Sequence, residues 1–153
     1  MMQYMSLTEM TRSLREGELS PTQVATATLD LVERFDPLLN CFAHFDSEDV
    51  LRQASSIEAR LAAGEDVGPL AGAPVAIKDL IAVQGMPLRF GSKVTSPEPV
   101  GVDAPSVARI RAAGGVILGK STTSEFGCKA VGDSPLTGIT RNPWNPDCTP
   151  GGS

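Results

Sequence analysis

The sequence predicts an α/β fold with its helices mostly in front, and three observations predict it. Three helix-start signals come before Gly64. From Gly68 on, short apolar runs alternate with Gly and Pro. One later helix pattern stands between two of those runs. Such runs read as buried strands, and a helix between them as the right-handed crossover of a parallel pair.

Each element has its own signal. Ser6-Leu-Thr-Glu9 has the spacing of a capping box, and Leu7, Met10 and Leu14 recur at helical period, so a short helix is expected to end near Gly17. Ser20-Pro21-Thr22-Gln23 combines a hydroxyl cap, proline at the first helical position and glutamine at the third, which predicts a helix from Pro21 to Phe35, before Asp36-Pro37. Asn40 to Phe45 is short, partly aromatic and strand-like. Asp46 then caps a third helix through Leu61 to Gly64, whose Ala-rich face suits close packing. Asp103-Ala-Pro105 starts a helix with Val107, Ile110 and Ala113 on one face, between the apolar runs of PLAGAPVAIKDL and GGVILGK. No repeat, low-complexity tract or linker interrupts residues 1–153, so one domain, or part of one, is expected.

Composition narrows the function classes. With 41% hydrophobic and 20% charged residues, the 153-residue chain is long enough for one sizeable core. Thirteen basic against eighteen acidic side chains give a net charge of -5, which disfavours nucleic acid and anionic membrane as partners. Cys41, Cys128 and Cys148 are odd in number and far apart, without a C-x-x-C pair, so neither a disulfide framework nor a metal site is expected. The start MMQYMSLTEM lacks the basic and apolar regions of a signal peptide, and no run of about 18 apolar residues occurs. A soluble cytoplasmic protein is the expectation.

Two places suggest chemistry. Lys78 directly follows Pro74-Val-Ala-Ile77, a run too apolar for a solvated face; burial disfavours the charged form of a lysine and suits it to act as a base. The same position also lets the amine reach solvent or pair with Asp79. At the other end, Thr149-Pro-Gly-Gly-Ser153 sets two glycines before a hydroxyl, which permits a backbone that a Cβ would forbid close to a substrate. Taken alone, that string is a weak signal, since ordinary loops and linkers share it.

Other strings point elsewhere. Gly114 to Ser121 matches G-x-x-x-x-G-K-S, but the strand-like Val116-Ile-Leu118 lies inside the supposed nucleotide loop and a helix lies upstream, the reverse of what phosphate binding needs. Cys41 and His44 are expected as a core cysteine and a histidine at a strand end, not a catalytic pair. Trp144, in NPWNP, is expected to be a buried ring holding a rigid loop.

Three blocks, GPLAGAPVAIKDL, DAPSVARIRAAGGVILGKSTTSEFG and TRNPWNPDCTPGGS, together resemble the amidase signature family in order over nearly all of residues 68–153. The resemblance implies a large mixed sheet between helices, of which this chain holds the N-terminal part. It also implies a serine, cis-serine, lysine triad, with Lys78 matching the lysine and Ser153, after Gly151 and Gly152, matching the cis-serine. By the same matching Gly127 and Cys128 fall on the substrate-side wall, and the Gly152–Ser153 peptide is cis. Thr122 and Ser124 stand where the family often has asparagine and proline.

The activity so implied is hydrolysis of a carboxylic amide through an acyl-serine, with no cofactor and no metal. The attacking serine would lie beyond Ser153, in the rest of the same enzyme, so the fragment alone is expected to be inactive. The partners expected are a small-molecule amide, the remainder of the enzyme and a second copy in a homodimer. The alternatives are a closely related aminoacyl-tRNA amidotransferase subunit, which the TRNPWNP block suits less well, and a non-catalytic or nucleotide-binding fragment.

Overall fold

The computed structural model describes residues 5–152. Four α-helices, α1 (Leu7–Glu16), α2 (Pro21–Leu39), α3 (Ser47–Ala62) and α4 (Pro105–Ala112), accompany five strands, β1 (Phe42–Phe45), β2 (Pro74–Lys78), β3 (Val116–Ser121), β4 (Asp133–Ser134) and β5 (Gly138–Ile139). β1, β3 and β2 form one sheet in that spatial order, and β4 pairs with β5. β1 runs antiparallel to β3, with Phe42 opposite Ser121 and Phe45 opposite Gly119. The bonds flanking β2 and β3, Val116 N–H to Ala73 O and Asp79 N–H to Ser121 O, advance in the same direction along both strands, the sense of a parallel pair. The result is the expected mixed sheet with α4 as the crossover helix.

Local signals locate the helices well. In α1 the Ser6 hydroxyl accepts from the Glu9 N–H while the Glu9 side chain takes the Ser6 N–H, and Gly17 closes the helix in the left-handed region. Asp46 caps α3 through the N–H groups of Glu48 and Asp49. The end of α2 departs from expectation, because the helix continues past Phe35 to Leu39 with Pro37 inside it. Two features explain the extension. The Asn40 N–H still reaches the Asp36 carbonyl at 2.7 Å, and the Asp36 carboxylate accepts the N–H groups of Cys41 and Phe42 where the chain leaves the helix. Proline in a last turn forfeits one backbone bond, and these contacts offset it.

The chain clusters into two compact units. The first, residues up to Asp30, Asp46–Val75 and Ala108–Leu118, buries Leu14, Val24, Val50, Ala54, Ile57 and Ile117 among others. Within it Gln53, on α3, replaces a missing strand neighbour for β3: its side-chain amide accepts the Ile117 N–H at 3.0 Å and donates to the Ile117 carbonyl at 3.1 Å. The second unit, Leu31–Phe45, Ala76–Val107 and the residues from Gly119 on, buries Ile77, Val83, Met86 and Val107. It also buries Asp79, Lys120, Thr123 and Ser124, and it carries the candidate site.

Candidate functional site

Lys78 ends β2, and its side chain is half-buried. It lines a cavity of about 90 Å³ together with Thr122, Thr123, Ser124, Val131, Gly132, Thr140, Pro150, Gly151 and Gly152. Positions 78 and 152, far apart in the chain, therefore share one small chamber. Gly151 adopts φ +86, a left-handed backbone that L side chains rarely take, with open space where a Cβ would stand. Ser153 and the Gly152–Ser153 peptide lie outside the described residues.

The wall of the chamber is a network of hydroxyls. Thr122 Oγ1 and Thr140 Oγ1 are 2.7 Å apart, and Thr140 Oγ1 donates to the Asn40 carbonyl at 2.8 Å, which leaves Thr122 as the donor of the pair. Ser124 Oγ donates to the Lys129 carbonyl and accepts the Lys129 N–H. Thr122 and Ser124, the two departures from the family pattern, thus each brace the loop from inside. Thr123 Oγ1 is shut off from solvent and has no hydrogen-bond partner among the described residues.

Beneath this wall lies a buried ion pair. Lys120 Nζ, on β3, is 2.9 Å from Asp79 Oδ1, with side chains 0% and 1% exposed, and it also donates to the Pro87 carbonyl at 3.1 Å. Asp79 further accepts the N–H groups of Arg89 and Gly91. One residue after Lys78, the chain is thus tied at once to β3 and to the loop 87–91. Gly91 must be glycine there, because at φ +64 a Cβ would come within 2.7 Å of the Thr123 carbonyl oxygen. The pair also settles the G-x-x-x-x-G-K-S string: its lysine is sequestered in a strand core, where no phosphate reaches it.

Gly127 and Cys128 close the 3-10 turn Glu125–Gly127 that follows the hydroxyl wall. Gly127 donates its N–H to the Ser124 carbonyl, while Cys128 is exposed with its thiol directed to the Glu125 carbonyl at 2.9 Å. Neither residue is in the wall of the Lys78 chamber. Beside them Phe90 and Phe126, both at positive φ, stack with ring centroids 6.1 Å apart. Cys41 is half-buried, not a full core residue, and burial, reinforced by the Asp36 carboxylate, pushes its thiol pKa up, away from nucleophilic service. Among the described residues no group of three His, Cys, Asp or Glu side chains is placed to hold a metal ion, and no helix is long and apolar enough to cross a membrane.

Trp144 corrects an expectation: its ring is 94% exposed. The loop is held without it, by backbone and short side chains. Asn142 Oδ1 accepts the Trp144 N–H, Asn145 Oδ1 accepts the Asp147 N–H, and Arg141 reaches the Pro146 carbonyl. Turns of this kind are self-sufficient and need no buried anchor.

The chamber joins the end of β2 to a glycine-rich loop, and comparison with known proteins makes the assignment. The chain belongs to the Amidase family, the match running over residues 23–153. An acylamidase of Rhodococcus erythropolis is 41% identical over 150 residues, covering 98% of this chain and 31% of that protein. A glutamyl-tRNA(Gln) amidotransferase subunit of Acidothermus cellulolyticus shows the same 41% identity, over 95% of this chain and 29% of that protein. Among solved structures, a bacterial aryl acylamidase of the amidase signature family superposes with a TM-score of 0.89 at 30% identity, over 98% of this chain and 31% of that one. The peptide amidase of Stenotrophomonas maltophilia superposes with a TM-score of 0.87 at 29% identity, over 94% of this chain and 31% of that one. The chain spans about a third of the length of the curated relatives it matches.

Proposed function

We propose that this chain is the N-terminal third of an amidase that cleaves a carboxylic amide through an acyl-serine, with Lys78 as base and Ser153 as proton relay. The amine form of Lys78 accepts a proton from the Ser153 hydroxyl, which takes one from the nucleophilic serine contributed by the downstream part of the domain. The nucleophile's oxygen bonds to the carbonyl carbon. As the tetrahedral intermediate collapses, the C–N bond breaks and the proton returns through Ser153 to the leaving nitrogen. Water then repeats the cycle on the acyl-enzyme. This is a serine-lysine form of triad logic.

The observation that carries this reading is that Lys78 and the glycine preceding Ser153 line the same small chamber. Its test is hydrolysis of simple aryl and aliphatic amides by the protein carrying the rest of its amidase domain. Lys78→Ala is expected to lower kcat/KM roughly 10²- to 10⁴-fold, the usual worth of a positioned general base. A variant within tenfold of the parent would sink the proposal.

A second reading is favoured by one observation, the equal 41% identity to the amidotransferase subunit of Acidothermus cellulolyticus. A protein of that kind would release ammonia to an accepting partner instead of discarding it. Co-purification of the native protein with a stoichiometric second protein, together with amide cleavage dependent on it, would select that reading over a stand-alone hydrolase.

A further inference from the structure

Two walls of the Lys78 chamber come from different strands: Lys78 ends β2, whereas Thr122, Thr123 and Ser124 follow β3. At this point the two chains part. The last backbone tie between them is the Asp79 N–H to the Ser121 carbonyl; the Asp79 carbonyl then accepts from Phe90, and the Thr122 N–H donates to the Cys41 carbonyl. The backbone ladder no longer sets their spacing, and the buried ion pair sits at that fork. Asp79, next to Lys78, lies 2.9 Å from the Nζ of Lys120, which precedes Ser121 and Thr122. The bonds around the pair close a ring. The Asp79 carboxylate accepts the N–H groups of Arg89 and Gly91, Lys120 donates to the Pro87 carbonyl, and Gly91 lies against the Thr123 carbonyl. Neither Asp79 nor Lys120 is in the wall of the chamber.

We propose that Asp79 and Lys120 are positioning residues that fix the spacing between Lys78 and the wall formed by Thr122, Thr123 and Ser124. This rests on the amidase reading above. Taking two charges out of water costs about as much as their attraction returns, and a well-packed apolar pair is often as stable or more so. What such a pair supplies in addition is direction, because charge-assisted bonds have set lengths where apolar groups slide. A general base needs that precision: it must stand within hydrogen-bond reach of the hydroxyl it serves, and a displacement of about 1 Å costs on the order of 10²-fold in rate. Loss of the pair should therefore lower turnover and leave substrate binding nearly alone.

The experiment compares Lys120→Met, the double variant Asp79→Asn with Lys120→Met, Lys78→Ala and Glu58→Gln in the protein carrying its whole amidase domain, reading kcat and KM on a chromogenic anilide together with the thermal midpoint. The double variant removes both charges at once, so its midpoint should lie nearer the parent's than that of Lys120→Met alone. Its kcat should nonetheless stay about tenfold or more below the parent's, with KM within about threefold. Glu58→Gln weakens a contact inside the first unit and should lower the midpoint without lowering kcat. A double variant that turns over like the parent overturns the proposal. So does one that fails to fold, because the pair is then required by the fold and not by the site. A raised KM with kcat unchanged assigns the pair to substrate binding and overturns it too, and a Glu58→Gln enzyme that loses kcat equally shows turnover merely following stability. If the parent cleaves no amide, or Lys78→Ala stays active, the amidase reading itself has failed. A parent that is active, with Lys78→Ala inactive and the double variant unaffected, overturns the positioning role alone.

Discussion

Lys120 and Asp79 are charged side chains enclosed almost completely, and among the described residues two oxygens, Asp79 Oδ1 and the Pro87 carbonyl, replace water around the ammonium. Removing one partner leaves the other charge buried and uncompensated, so Lys120→Met is expected to destabilise the protein by about 3–5 kcal/mol. Pairing it with Asp79→Asn should restore part of that loss, and urea midpoints of the two single variants and the double variant measure the coupling. A midpoint for Lys120→Met equal to the parent's would argue that the pair is open to water. The sequence reveals little of this. Lys120 follows a glycine in a string that imitates a nucleotide loop, and its partner is 41 positions away. Thr123 is equally hidden, since nothing in its neighbours separates it from Thr122, and its idle hydroxyl is a property of three dimensions only. Lys78, by contrast, is legible because an apolar strand ending in lysine is unusual on local grounds and fits a recognisable block.

Helix α2 shows which signals are local and which are not. Its start is readable: Ser20 Oγ accepts the Gln23 N–H and Gln23 Oε1 accepts the Ser20 N–H, a reciprocal box written within four residues. A third acceptor is not readable, because it comes from α3. The Thr22 hydroxyl and the Thr22 N–H, the latter at 3.1 Å, both hold the Glu58 carboxylate, and they lower its pKa from the ordinary value of 4.5. A carboxyl whose folded pKa is depressed contributes stability above its unfolded value and loses it as pH falls through the folded one. Glu58→Gln should therefore lower the thermal midpoint at about pH 7, and the gap to the parent should be smaller at about pH 3, below the ordinary carboxyl range. Midpoints for both proteins at the two pH values check this, and a gap independent of pH counts against it. The helix end escapes a local reading for a related reason. Asp36-Pro37 looks like a stop, but the Asp36 carboxylate serves the N–H groups just beyond the helix, so the last turn can include the proline.

In the molecule as a whole the fold is legible where hydrophobic period and capping agree, which covers the four helices and the two strands that the crossover joins. It is less legible past Ser121, where β4 and β5 have two residues each and the chain is held by side-chain turns instead of a core. Large apolar side chains remain in solvent: Leu38, Val94, Val102 and Ile139 are each more than 60% exposed. Scattered exposed aliphatics are ordinary, but this group accompanies a chain about a third as long as its relatives, whose further residues are the natural cover under the proposed reading. The NPWNP loop belongs with them. Its indole is the one tryptophan among 153 residues and stands almost wholly in water. The chain consequently carries its own unlabelled luminescent reporter, with red-shifted emission readily quenched by acrylamide. Adding the downstream part of the domain should move that emission to the blue and protect it from quencher, and an unchanged spectrum would mean that nothing covers the loop.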